Sequence, residues 1–219
     1  MEAKQGNKIV IIGAGGHARS VIDIILQNQQ YDVIGCVDNA EQTEGFLEGM
    51  PYIPILGNDN ILPELYASGI RYAFAAIGNN ALRKRLYEKI TGIGFTPATV
   101  ISKYSCISPL AHIGTGTCVM AGAVINVNVR IGDNCIINTN CSIDHDCIIQ
   151  GHCHVAPGVA MSGTVHVGEL THIGTGSSII DQIDIGTNSY IGAGSVIVRN
   201  IADNILAYGV PAKKIRNLI

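Results

Sequence analysis

The chain contains no tryptophan, and aromatic residues make up only 5% of its 219 positions. It has no basic excess either. The formal net charge is −3 and the isoelectric point is near 6.1, so no basic face is offered to nucleic acid and that class of function falls first. Long apolar runs are missing: mean hydropathy is +0.29, yet no stretch approaches the roughly 18 to 20 residues of a membrane-spanning helix. The opening MEAKQGNKIV has no secretory pattern, because its apolar stretch ends at once in GAGG. Seven cysteines, an odd number in a chain too long for a disulfide scaffold, argue for a reducing compartment. We therefore expect a soluble cytoplasmic protein of one or two domains. Glycine is plentiful at 26 residues, and 47% of the chain is hydrophobic. That pairing suits a repeat of small turns and β-branched residues.

The repeat is present. Stepping by six from Ile101 meets Ile107, Ile113, Val119, Ile125, Ile131, Ile137, Ile143, Ile149, Val155, Met161, Val167, Ile173, Ile179, Ile185, Ile191 and Ile197, every one aliphatic or Met. A six-residue period signals a parallel β-helix, in which three hexapeptides make one triangular coil and coils stack at about the 4.8 Å inter-strand spacing. Gly114, Gly132, Gly168 and Gly186 lie on an 18-residue grid broken at Gln150, and we expect them at the tight corners. The position two before each stepping residue is usually small, and Cys135, Cys141, Cys147 and Cys153 are among its occupants. Their even spacing is that of an inward packing slot, whereas zinc sites favour CxxC-like pairs. We expect no metal.

Residues 1–98 follow another pattern. Lys8–Ile12 is an apolar strand, GAGG at 13–16 a tight turn, and 17–29 has helical periodicity through Val21, Ile22, Ile25 and Leu26. Tyr31–Val37 is a second strand, 39–60 is loop-rich, and 62–68 is a short helix. Strand 71–77 then runs into GNN and a basic helix over 82–91. Alternating strands and helices imply a small Rossmann-like parallel sheet, with a boundary near 96–99 and a second domain over 99–219. Gly13, Gly15 and Ala18 fit a GxGxxA dinucleotide variant with Asp38 as the ribose acid, but a plain helix entrance fits as well. No second mononucleotide half follows, which argues against NAD. A nucleotide diphosphate at a helix N-terminus needs less room. The crevice beyond the strand ends would gather Gly15, Gly16, His17, Asp38, Asn39, Gly78, Asn79 and Asn80.

His112, His154, His166 and His172 each directly precede a stepping residue, so they should point outward. His145 differs, standing in IDHDC between Asp144 and Asp146. One coil further on is Gly163, whose missing side chain would leave a slot for a flat substrate group. From the pattern, a catalytic histidine and an exposed bystander both remain open.

GAGGHA at 13–18, AIGNNALRKRL at 76–86, INTNCSIDHDCIIQGHCHVAPG at 137–158 and GVPAK at 209–213 together resemble one family. It is the left-handed β-helix acyltransferases that include sialic-acid O-acetyltransferase and the N-acetyltransferases of nucleotide-linked 4-amino sugars of the bacillosamine and perosamine type. The resemblance implies an α/β domain that binds a nucleotide-sugar, a left-handed β-helix that binds acetyl-CoA, and a short C-terminal tail. It implies His145 as general base, with Asp146, often Glu in relatives, raising its basicity. Gly15, Gly16, His17, Asp38, Asn39 and Gly78 would meet the nucleotide-sugar. His154, Gly163, Thr175 and the Ala193 backbone would line the acetyl-CoA side, with Lys213 and Lys214 available for its phosphates.

An amine attacking a thioester must lose a proton, which an imidazole of pKa about 6.5 can accept near neutrality. His145 and His154 are nine residues apart, half a coil, so they should sit on opposite sides of one prism. A homotrimer would let neighbouring subunits complete each site. The expected reaction is acetyl transfer to the 4-amino group of a nucleotide-linked 4-amino-4,6-dideoxy sugar, with UDP placed ahead of GDP or dTDP. The alternatives are O-acetylation of sialic acid or a related sugar, a non-catalytic β-helix scaffold, and a nicotinamide-dependent reductase.

Overall fold

The computed structural model describes residues 7–39 and 45–218, which fall into two compact units, 1–100 and 101–219. The first unit is a six-stranded sheet flanked by helices. In chain order its elements are β1 (Asn7–Ile12), α1 (Gly16–Asn28), β2 (Tyr31–Val37), β3 (Gly45–Leu47), β4 (Met50–Ile55), α2 (Leu62–Ala67), β5 (Tyr72–Ala75), α3 (Asn80–Ile93) and β6 (Thr96–Pro97). The sheet order is β3-β4-β2-β1-β5-β6. β1 is central and parallel to both neighbours, and Ile9, Val10, Ile11 and Ile12 are all buried, as a strand covered on both faces requires. α1 turns Ala18, Val21, Ile22, Ile24 and Ile25 inward, the stripe its periodicity announced.

The loop-rich reading of 39–60 needs correcting; residues 40–44 lie outside the described ones. β3 and β4 form an antiparallel hairpin, and β4 extends the sheet beside β2 through Cys36 and Ile55. β4 carries Pro51 and Pro54, which a strand near a sheet edge accommodates.

The second unit is a left-handed parallel β-helix. Seventeen two-residue strands run from Val100–Ile101 to Val196–Ile197, and each ends on one of the stepping aliphatic residues. They stack into three sheets with partners 18 residues apart, as in Val124↔Ser142 and Ile125↔Ile143. From Val119 onward the stepping residues are buried in one continuous core. The four spaced cysteines are buried there too, and each Sγ donates to a carbonyl of the next coil, as Cys147 does to Ser162 at 3.1 Å.

The glycine grid has a different cause from the one expected. Gly114, Gly132, Gly168 and Gly186 do not have positive φ. A Cβ on Gly132 would stand 2.6 Å from the Gly151 nitrogen, so the grid serves close stacking of coils. The left-handed corners lie two residues later, at every sixth position from Gly116 to Gly194, and Asn128, Asn134, Asn140, Asp146 and Asn188 are among them. Asn and Asp tolerate that conformation best after glycine. The C-terminal tail is a β-hairpin, Ile205–Gly209 with Ala212–Asn217, whose first strand prolongs the sheet that holds His154. Among the described residues, no helix is long and apolar enough to cross a membrane.

Candidate active site

His145 sits on an exposed corner of the β-helix, after the Ser142–Ile143 strand. Its Nδ1 is 2.9 Å from Asp146 Oδ2. An ionised carboxylate can only accept, so Nδ1 carries the hydrogen and Nε2 keeps the lone pair. Two amides one coil earlier complete the corner. Asn126 Nδ2 donates to Asp144 Oδ1 at 2.8 Å, and Asn128 Nδ2 donates to Asp146 Oδ1 at 3.1 Å. Asp144 Oδ1 also accepts the His145 N–H at 2.7 Å. The Asp146 hydrogen bond, reinforced by the charges of both aspartates, holds the imidazole above its ordinary pKa. Hydrogen bonds from His145 and Asn128 hold the Asp146 carboxyl below its own.

Gly163 belongs to this corner, where the 18-residue step from His145 puts it. A Cβ there would stand 2.5 Å from His145 Cε1 and 2.7 Å from Nε2. The space above Gly163 is therefore filled by the imidazole itself rather than left as a slot for substrate.

His154 stands on a different sheet, so the two histidines occupy different faces of the prism. Asn138 Nδ2 meets His154 Nε2 at 3.1 Å. The His154 ring meets His172 edge-on at 4.7 Å, and His172 stacks on Tyr190 at 4.4 Å, with the rings 9° from parallel. Thr175 and Ala193 are exposed, one coil apart, on the corner that follows the strands of His154 and His172. Lys213 and Lys214 lie exposed on the tail hairpin. The structure thus separates two groups, His145 with Asp146 and Gly163, and His154 with the corner bearing Thr175 and Ala193.

In the first unit a cavity of about 430 Å³ opens at the strand ends, lined by Ile12, Gly13, Val37, Asp38 and Asn39 together with Ile77, Leu82, Arg85 and Lys89. Gly13 has φ +107°, and a Cβ there would meet the Ala76 carbonyl at 3.0 Å. Asp38 Oδ2 accepts the Ala14 N–H at 2.6 Å, fixing the glycine-rich turn. Gly15, Gly16, His17, Gly78, Asn79 and Asn80 are not among the residues that line this cavity. Asn79 caps α3, its Oδ1 accepting the Leu82 N–H at 2.9 Å, and Asn80 Oδ1 accepts from Arg83. The buried Arg83 guanidinium also donates to the Ile77 carbonyl at 3.0 Å, holding the IGNN turn in place. Burial, then the nearby Arg83 charge, pushes the His17 imidazole down to about 4, so it is neutral at pH 7.

Sequence reasoning overlooked Asn126, Asn128 and Asn138, although the 18-residue step back from Asp144 and Asp146 lands on the first two. It also passed over Arg85 and Lys89, whose spacing of four puts them on one face of the basic helix.

This architecture, a small parallel α/β unit and a hexapeptide β-helix bearing a His–Asp dyad, defines a hexapeptide-repeat acyltransferase. The comparisons go further. Residues 8–90 match the PglD N-terminal domain family. Perosamine N-acetyltransferase from Caulobacter crescentus, solved with CoA and GDP-perosamine, is 40% identical over 98% of this chain and 99% of its own, with a TM-score of 0.91. The acetyltransferase domain of PglB from Neisseria gonorrhoeae, solved with acetyl coenzyme A, is 33% identical over 96% of this chain and 100% of its own, with a TM-score of 0.88. WeeI from Acinetobacter baumannii shares the fold at 22% identity and a TM-score of 0.81, over 94% of this chain and 99% of its own. The chain belongs to the hexapeptide-repeat family of CoA-dependent sugar N-acetyltransferases that carry this N-terminal domain.

Proposed function

We propose that the protein transfers acetyl from acetyl-CoA to the 4-amino group of a nucleotide-linked 4-amino-4,6-dideoxy sugar, by direct attack in a ternary complex. The observation that carries the reading is the His145–Asp146 dyad, with its Nδ1 committed to a carboxylate and Nε2 left to accept a proton. The amine attacks the thioester carbonyl, its proton passes to His145 Nε2, and the carbon–sulfur bond breaks to release CoA thiolate. That thiolate takes the proton, and no covalent enzyme intermediate is required. Asp146 stabilises the imidazolium formed on the way, the division of labour seen in histidine–carboxylate pairs generally.

The first unit supplies the nucleotide site, with Asp38 and Asn39 at its polar end and Arg85 offering charge to a diphosphate, while Lys89 is held in an ion pair with Asp59 at 3.0 Å. His154, Thr175, Ala193 and Lys213 form the acetyl-CoA side. Because His145 and His154 stand on different faces of one prism, a homotrimer unites them by bringing one copy's His145 face to its neighbour's His154 face. The 40% identity to an enzyme bound to GDP-perosamine moves GDP ahead of UDP as the carrier.

The test is to offer GDP-, UDP- and dTDP-linked 4-amino sugars with acetyl-CoA and follow free thiol. GDP-perosamine should be turned over fastest. Thiol release with none of the amino sugars, but with a sialic acid as acceptor, would replace N- by O-acetylation. Sedimentation should give three times 23.1 kDa, and a fully active monomer would sink the shared site.

A further inference from the structure

We infer that Asn128 is a positioning residue for acetyl transfer, acting through Asp146 alone. The inference rests on His145 being the base, as proposed above. Asp146 is a half-exposed carboxylate on a corner, where water competes for both oxygens and the side chain is free to turn away. The structure divides those oxygens: Oδ1 accepts the Asn128 amide at 3.1 Å, and Oδ2 faces His145 Nδ1 at 2.9 Å. A bond on one oxygen restricts rotation of the whole carboxylate, so the amide determines where the other oxygen points. Asn128 is able to do this because the coil stacks it directly against Asp146, 18 residues on, and both residues have the left-handed φ of 59–60° that Asn and Asp accept. Asn126 and Asp144 repeat the arrangement two residues earlier, where Asp144 holds the His145 main chain. The other charged or titratable groups beside the pair are Asp144 on the same corner, and Arg130 with His112 across the hollow that Asn128 and Asp146 line.

The test is a double-mutant cycle. Asn128→Gly suits the left-handed backbone while removing the amide. Alone, it should lower kcat about tenfold, the worth of one hydrogen bond to a charged group, with both KM values and the melting temperature nearly unchanged. In an Asp146→Asn background the same substitution should change kcat by less than about twofold, because the group it acts through has been removed. Asn128→Asp, which keeps the shape but not the donor, should also lose activity. Near-wild-type kcat in Asn128→Gly beside an inactive His145→Ala overturns this proposal and leaves the base assignment standing. A loss of equal size in both backgrounds makes Asn128 merely structural and overturns it too. An active His145→Ala removes the base assignment and this inference together.

Discussion

The two units of the chain are specified in opposite ways. In the β-helix every coil poses the same packing problem, and the sequence solves it with one aliphatic residue or Met every six and, at most steps, a small residue two places before it. Side chains at the corners are then free to vary, and His145, Asp146, Asn126 and Asn128 occupy that freedom without cost to the core. In the α/β unit each contact is particular. Arg83 is buried to hold one turn, Asp38 ties one backbone N–H, and His17 is kept neutral beside a guanidinium. Regularity lets chemistry be placed on the surface of a repeat, whereas irregularity makes each site residue also a structural one.

The largest effect expected from that contrast is at His145. His145→Ala should lower kcat by roughly 10²- to 10⁴-fold, the usual worth of a general base, while the melting temperature stays near wild type because the residue lies outside the core. Thiol release and thermal melts on the same sample check both halves. In the coil interior the balance reverses: Ile149→Ala, at a fully buried stepping position, should cost about 2–5 kcal/mol of stability, read by urea denaturation.

Asp146→Asn should remove the bond that raises the His145 pKa. The base works only when neutral, so activity falls as pH drops through its pKa. The acid limb of kcat/KM should therefore move to lower pH, and plateau kcat should fall by less than in His145→Ala. An unmoved limb would detach Asp146 from the base.

The smallest effect concerns stability in the α/β unit. The folded unit holds His17 at about 4 against an ordinary 6.5. Below 6.5 the unfolded chain takes up a proton that the folded one refuses, so this contribution to stability is intact above pH 6.5 and is lost progressively as pH falls toward 4. Among the described residues all three α-helices lie in this unit, so the far-UV helix signal reports on it. Urea midpoints by that signal should drop between pH 7 and pH 5 more in wild type than in His17→Gln, and equal drops would refute the role given to His17.

Much of this was legible without coordinates. An uninterrupted six-residue period has one physical solution, because only stacked coils bury that stripe while pairing every backbone group with its neighbour 18 residues on. The α/β elements were legible too, since β1, β2 and α1 carry strong apolar patterns. The β3–β4 hairpin was not: its prolines and exposed residues imitate a loop, and only the edge of an existing sheet makes it a strand.

For the site, sequence alone determined that His145 is flanked by carboxylates and that Gly163 stands one coil away. It could not say that the imidazole lies on Gly163, because that depends on how closely the coils stack. Nor could it say that Asp146 shares its two oxygens between His145 and Asn128. A period shows which residues are neighbours, but rotamers and hydrogen bonds are decided only when the neighbouring coil is in place. The same holds for Asp38 and Asn79, whose side chains are committed to a turn and a helix cap by the tertiary structure. Periodicity is a property of one dimension, and commitment of a polar atom to a partner is a property of three.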